Sequence, residues 1–120
     1  MSEMTLTQDK KLAIRAVVQE QLRAFQADDS DAAFVLAAPS IRQKLKTADS
    51  FLTLIKTNYY PIYRPRSVVF ESSTFFQNIP TQLVMFLSQR SELFRAMYLM
   101  EQQTTRDWLI QGCYLFPVKK

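Results

Sequence analysis

The periodicity of this chain changes once, at the stretch NYYPIYRPR (58–66). Before it, apolar residues recur at helical spacing. After it, helix formers give way to β-branched and aromatic residues in four runs: SVVFESSTFFQ (67–77), TQLVMFLSQ (81–89), ELFRAMYLMEQ (92–102) and DWLIQGCYLF (107–116). The joints NIPT, QRSE and TTRD are too short for a crossover, so consecutive strands are expected to pair antiparallel. Helices first and a strand meander after is the α+β pattern, with the helices packed on one face of the sheet. A chain of 120 residues suits one such domain, with helices over about 6–58 and the sheet over about 66–117.

The helices are readable one by one. Thr5, with Gln8 three residues on, fits a capping box. Ile14, Val17, Val18, Leu22 and Phe25 then fall on one face of a helix that stops near Asp28. Asp29 or Ser30 is placed to cap a second helix, and Pro39 to end it. Ser40 opens a short turn over Ile41–Leu45. A further helix runs from about Thr47 to Asn58, and Pro61 stops it. Pro61 and Pro65 fix the backbone of the junction and push Tyr60 and Arg64 out of the α region, so NYYPIYRPR is first of all a rigid corner.

Alternation divides the last two strands into two sets. Phe94, Ala96, Tyr98 and Met100 stand with Trp108, Ile110, Gly112 and Tyr114. Leu93, Arg95, Met97 and Leu99 stand with Leu109, Gln111, Cys113 and Leu115. Both sets are largely apolar, unlike a sheet with one wet face. Helices cover one face. The other is expected to be covered by a second copy of the chain, through Leu93, Arg95, Met97, Leu99, Leu109, Cys113 and Leu115. A tail or loop folded over the sheet is the competing explanation.

Composition excludes more chemistry than it suggests. There is no histidine, one cysteine (Cys113) and one glycine (Gly112). Imidazole-dependent nucleophile systems and the usual zinc sites therefore lack their residues. Glycine-rich phosphate loops are ruled out in the same way. No metal or other cofactor is expected. No apolar run approaches a membrane span, and a single cysteine allows no internal disulfide, which points to a cytoplasmic setting. The net charge of +4 is spread along the chain, so nucleic-acid binding ranks last among the functions considered.

The order of landmarks AIRAVVQEQLRAFQADD, AAFVLAAPSI, a phenylalanine-led helix, YYPIYRPRSVVF and YLM…WLIQGC resembles an uncharacterised bacterial family, domain of unknown function 4864. The likeness extends over about residues 11–116. That resemblance implies a nuclear-transport-factor-2-like (cystatin-like) cone: a curved antiparallel sheet wrapped around helices, often dimeric through its outer face. It also implies a cavity suited to small hydrophobic molecules. The chain departs from the family pattern at LKT (45–47), where a glycine is usual, and in the glycine-free joints QRSE and TTRD. No catalytic motif carries over.

Within such a cone Tyr98 and Trp108 are the candidate pocket liners, each with an apolar body and a polar tip. Tyr60, Tyr63 and Arg64 are candidates for a rim that grips an anionic or aromatic ligand, set against a plain corner whose arginine pairs with Glu71 or a nearby carboxylate. The run Asp28-Asp29-Ser30-Asp31 lacks calcium-loop spacing and reads as a capping turn. Cys113 has no basic neighbour in sequence and reads as an inert strand thiol. Arg95 is expected to meet Glu71 or Glu101 at the dimer interface. The preferred function is non-catalytic: a homodimeric small-molecule-binding or interaction domain. The alternative is a small isomerase- or dehydratase-type enzyme using tyrosine and a carboxylate in the cavity.

Overall fold

The computed structural model describes residues 5–119. Five helices precede four strands: α1 (Gln8–Gln26), α2 (Ser30–Phe34), α3 (Pro39–Leu45), α4 (Ala48–Asn58), α5 (Tyr60–Tyr63), β1 (Ser67–Phe76), β2 (Ile79–Leu87), β3 (Leu93–Gln102) and β4 (Trp108–Pro117). The strands form one antiparallel meander in the order β1-β2-β3-β4. The α+β arrangement expected from the sequence is therefore present.

Local chemistry explains most element boundaries. The cap of α1 is Thr7, not Thr5: its hydroxyl accepts from the Lys10 amide at 3.2 Å. Asp29 caps α2 and Thr47 caps α4 in the same way, each carrying an orphan N–H of the first turn. Pro39 does not end the second helix but begins α3, at the position where a missing N–H costs nothing. The end of α1 is a Schellman motif. The Asp29 amide bonds Ala24 O, the Asp28 amide bonds Phe25 O, and Asp28 takes the left-handed position at φ 55°.

Two turns depart from the sequence reading. The first hairpin pivots on Gln77 and Asn78, both at positive φ, which is the two-residue geometry matched to strand twist. Ile79 and Pro80 thus belong to β2 rather than to the joint. Tyr60 lies within α5, a single turn with Pro61 near its start, whereas Arg64 leaves the helical region at φ −137° and ψ 70°.

The core lies between the helices and the inner face of the sheet. Ile14, Val18 and Phe25 of α1 are fully buried, and Val84, Phe86 and Ala96 are buried opposite them. Phe51 of α4 joins the layers, packing against Phe25 and Phe34 with ring centroids 5.9 and 5.7 Å apart.

The most consequential correction concerns β4. Pairing shifts register between Leu99↔Gly112 and Met100↔Ile110, so Gln111 is an extra residue in a β-bulge. An extra residue reverses the facing of everything after it. Trp108 and Ile110 face the helices as expected. Beyond the bulge, however, Cys113 and Leu115 oppose Tyr98 and Ala96 and pack on the core, while Tyr114 and Phe116 point out. Cys113 and Leu115 therefore do not belong to the outer face, and Gly112 and Tyr114 do not belong to the inner one. Leu99 points outward but is 7% exposed, covering the bare Cα of Gly112.

Helices and sheet are stitched together at one edge. The connector at 36–38 runs beside β4: Ala38 N–H donates to Ile110 O at 2.8 Å, and Ile110 N–H donates to Leu36 O at 2.9 Å. This covers part of an edge strand that would otherwise present bare backbone groups.

Candidate functional site: a cavity beside strand β4

Between the helical layer and β4 lies a cavity of about 470 Å³. Its walls come from α1 (Gln21, Phe25), α3 (Ile41, Lys44), α4 (Phe51, Leu54, Ile55), Tyr59, Ile62, Tyr98 and the β4 segment Ile110–Tyr114. The bulge at Gln111 shifts β4 off a simple pleat, and the backbone link from the 36–38 connector sits at Ile110. Beyond that link α4 and β4 diverge around an apolar space.

The polar groups in this wall are few, and all but Lys44 are neutral. Gln21, on an otherwise apolar helix face, donates its amide to Ala33 O at 3.1 Å. Tyr59 reaches from the end of α4 across to Cys113 O, at 3.5 Å the limit of a hydrogen bond. Tyr98 is 1% exposed, and its hydroxyl has no partner of proper geometry. The Cys113 thiol is close enough to act on the acidity of that hydroxyl, yet is not aligned to bond it. Burial pushes the Cys113 thiol up to about 12, so it stays protonated and is a poor nucleophile. Burial also raises Tyr59, and raises Tyr98 far above the ordinary phenol range. The one charged wall residue is Lys44, exposed at the mouth.

The five candidate ligand residues do not converge. Of them, Tyr98 alone lines this cavity. Trp108 lies at the far end of β4, beside Leu6, Phe75 and Pro80. Tyr60 is exposed beside a separate pocket of about 490 Å³ with Arg90 and Glu92. Tyr63 and Arg64 form a structural clamp. The Tyr63 hydroxyl donates to the Asp28 carboxylate. Arg64 gives Nη2 to Asp28 Oδ2 at 3.1 Å and Nη1 to Phe25 O at 2.9 Å. The guanidinium lies 4.1 Å from the centre of the Tyr63 ring. The corner is thereby fastened to the Schellman end of α1, where Arg64 adds a second donor to the Phe25 carbonyl. The Tyr63 hydrogen bond holds Asp28 below the usual carboxylate range and raises the phenol. A tyrosine–carboxylate pair driven apart in this way is unsuited to exchanging a proton near neutral pH.

Arg95 meets Glu71 in its own chain, through two bonds of 2.9 and 3.2 Å. Among the described residues no group of three or more acidic or cysteine side chains comes together as a metal site. Nor, among these residues, is any helix long and apolar enough to cross a membrane. The wall residues that sequence reasoning missed are Gln21, Lys44, Phe51 and Tyr59. Gln21 shows in the sequence as a polar residue inside the Ile14–Phe25 stripe, Phe51 as the head of its helix and Tyr59 as part of NYYPIYRPR.

The family model described as Domain of unknown function (DUF4864) matches residues 7–120. No curated protein and no solved structure matches the chain.

Proposed function

We propose that this chain, which belongs to the DUF4864 family, is a non-catalytic domain that binds a small molecule in the cavity beside β4. The observation that carries the reading is the wall itself. A space of about 470 Å³ is lined by aliphatic and aromatic side chains, with isolated neutral polar groups at Gln21, Tyr59 and Tyr98. Sites for small ligands are built this way, in the range of about 300–1,000 Å³. Catalysis is disfavoured because no carboxylate lines the cavity and its thiol is held protonated. The helices on one sheet face, with bulges bending β1 and β4, support assignment to the nuclear-transport-factor-2-like cones. A lone cysteine fits a reducing compartment such as the cytosol.

A second reading, compatible with the first, is self-association through the outer sheet face. Val69 and Tyr114 are 59% and 56% exposed there, beside Phe116. Leu93, Arg95, Met97 and Leu109 remain candidates for that interface, now joined by Tyr114 and Phe116. Monomers seldom leave such a face bare. Native mass spectrometry on freshly purified protein tests both readings. A dimer that retains a discrete extra mass is expected. A monomer removes the interface, and a protein with no retained mass that also fails to take up an apolar probe saturably removes the binding reading.

A further inference from the structure

We infer that the cavity's ligand is an unbranched single-chain carboxylate, a fatty acid, with its carboxylate at Lys44 and its chain running along β4 past Tyr59. The inference rests on the binding reading above and adds the class of molecule.

The first argument is shape. A second space of about 580 Å³ adjoins the cavity and shares four wall residues with it: Leu54, Tyr59, Cys113 and Tyr114. We read the two as a single trough, with Tyr59 at the waist where they meet. The first reaches along β4 from Ile110 to Tyr114, and the second continues from Cys113 to Phe116. On α4 the walls move from Phe51 to Asn58, about 10 Å at roughly 1.5 Å per residue. Along the strand this spans about 20 Å, at roughly 3.4 Å per residue. A long space walled by one helix and one strand suits an extended chain rather than a compact ring system.

The second argument is charge. Among the described residues Lys44 is the only charged one in the walls of both spaces, and it belongs to the first alone. One cation at one end of an otherwise apolar trough matches one anion at one end of an apolar molecule. A phosphate or a dicarboxylate would bring charge that nothing in the wall receives. Lys44 is exposed, so it meets a carboxylate at the mouth, where neither ion has to be stripped of water. At the waist, the Tyr59 hydroxyl makes one contact, at 3.5 Å to Cys113 O, so a chain that displaces it breaks no strong hydrogen bond.

The test is calorimetric titration of the full chain with octanoate, decanoate and dodecanoate below their micellar concentrations, and with the corresponding alcohols. Affinity for the acids is expected to rise about threefold to fourfold per added methylene. Lys44→Glu is expected to weaken every acid by about fivefold or more and to leave the alcohols unchanged. An affinity flat with chain length overturns the inference. So does a Lys44→Glu variant that binds the acids as before, or that loses the alcohols equally. Saturable binding of 1-anilinonaphthalene-8-sulfonate with no binding of any acid overturns the fatty-acid assignment alone. Failure of every probe overturns the cavity reading with it.

Discussion

Replacing Lys46 by glycine should stabilise this protein, although it deletes a side chain and adds no contact. Lys46 is the single residue between α3 and the Thr47 cap of α4, at φ 72° and ψ −43°. The Thr47 amide bonds Leu45 O at 2.8 Å across it, closing a three-residue γ-turn of the positive-φ kind, which is strained for any residue with a Cβ. A non-glycine residue held there costs about 1–3 kcal/mol. Glycine removes that strain but frees the unfolded chain, which returns about 0.5–1 kcal/mol. The net gain is about 1 kcal/mol, or a rise of about 4 °C in the thermal midpoint for a domain of this size. Lys46→Ala is the control. It keeps the Cβ and loses only an exposed side chain, so it should stay within about 0.5 kcal/mol of the parent. Urea unfolding of the three proteins, at constant m, reads the difference directly. A glycine variant no more stable than the alanine variant would refute the assignment of strain to this turn.

Two further predictions concern the tyrosines. Tyr98→Phe removes a buried hydroxyl that has no hydrogen-bond partner, so stability should be unchanged or higher by about 1 kcal/mol, whereas a loss above that in urea unfolding would mean the hydroxyl is satisfied. Asp28 is held below its ordinary range chiefly by the Tyr63 hydroxyl, so its share of stability is present above the unfolded carboxylate pKa and is lost as pH falls through the lower folded value. Asp28→Asn should therefore be less stable at neutral pH and lose less on acidification, and parallel acid-limb curves for the two proteins would contradict the clamp.

Much of the architecture was legible because it rests on local signals. The apolar stripe from Ile14 to Phe25, the helix from about Thr47 to Asn58 and the four strand runs each depend on residues within one element. The bulge at Gln111 was not legible. Alternation along β4 is unbroken in the sequence, and the extra residue is visible only once Leu99 and Met100 are seen to pair with Gly112 and Ile110. That one residue moved Cys113 and Leu115 inward and Tyr114 outward. The cavity was hidden for a related reason. Gln21, Lys44, Phe51 and Tyr59 sit on different elements, and an unfilled space depends on how far apart those elements are held. Tyr63 and Arg64 drew notice by composition, and their partner proved to be Asp28, which the sequence reading had treated only as part of a capping turn. The departure at LKT did carry information, since Lys46 occupies a backbone state that glycine would hold without strain.

The order of elements also has a consequence for synthesis on the ribosome. All five helices leave the exit tunnel before any strand does, so the stripes of α1 and α4 wait without the sheet that will cover them. Each strand then finds its neighbour through a short hairpin, which makes the late steps local and quick. The strand that walls the cavity is the last to emerge, and its bond to the connector at 36–38 joins one of the latest segments to one made much earlier. A nascent chain therefore has no cavity to fill until β4 is free, so any occupant can act only after the helices and the other three strands have been made.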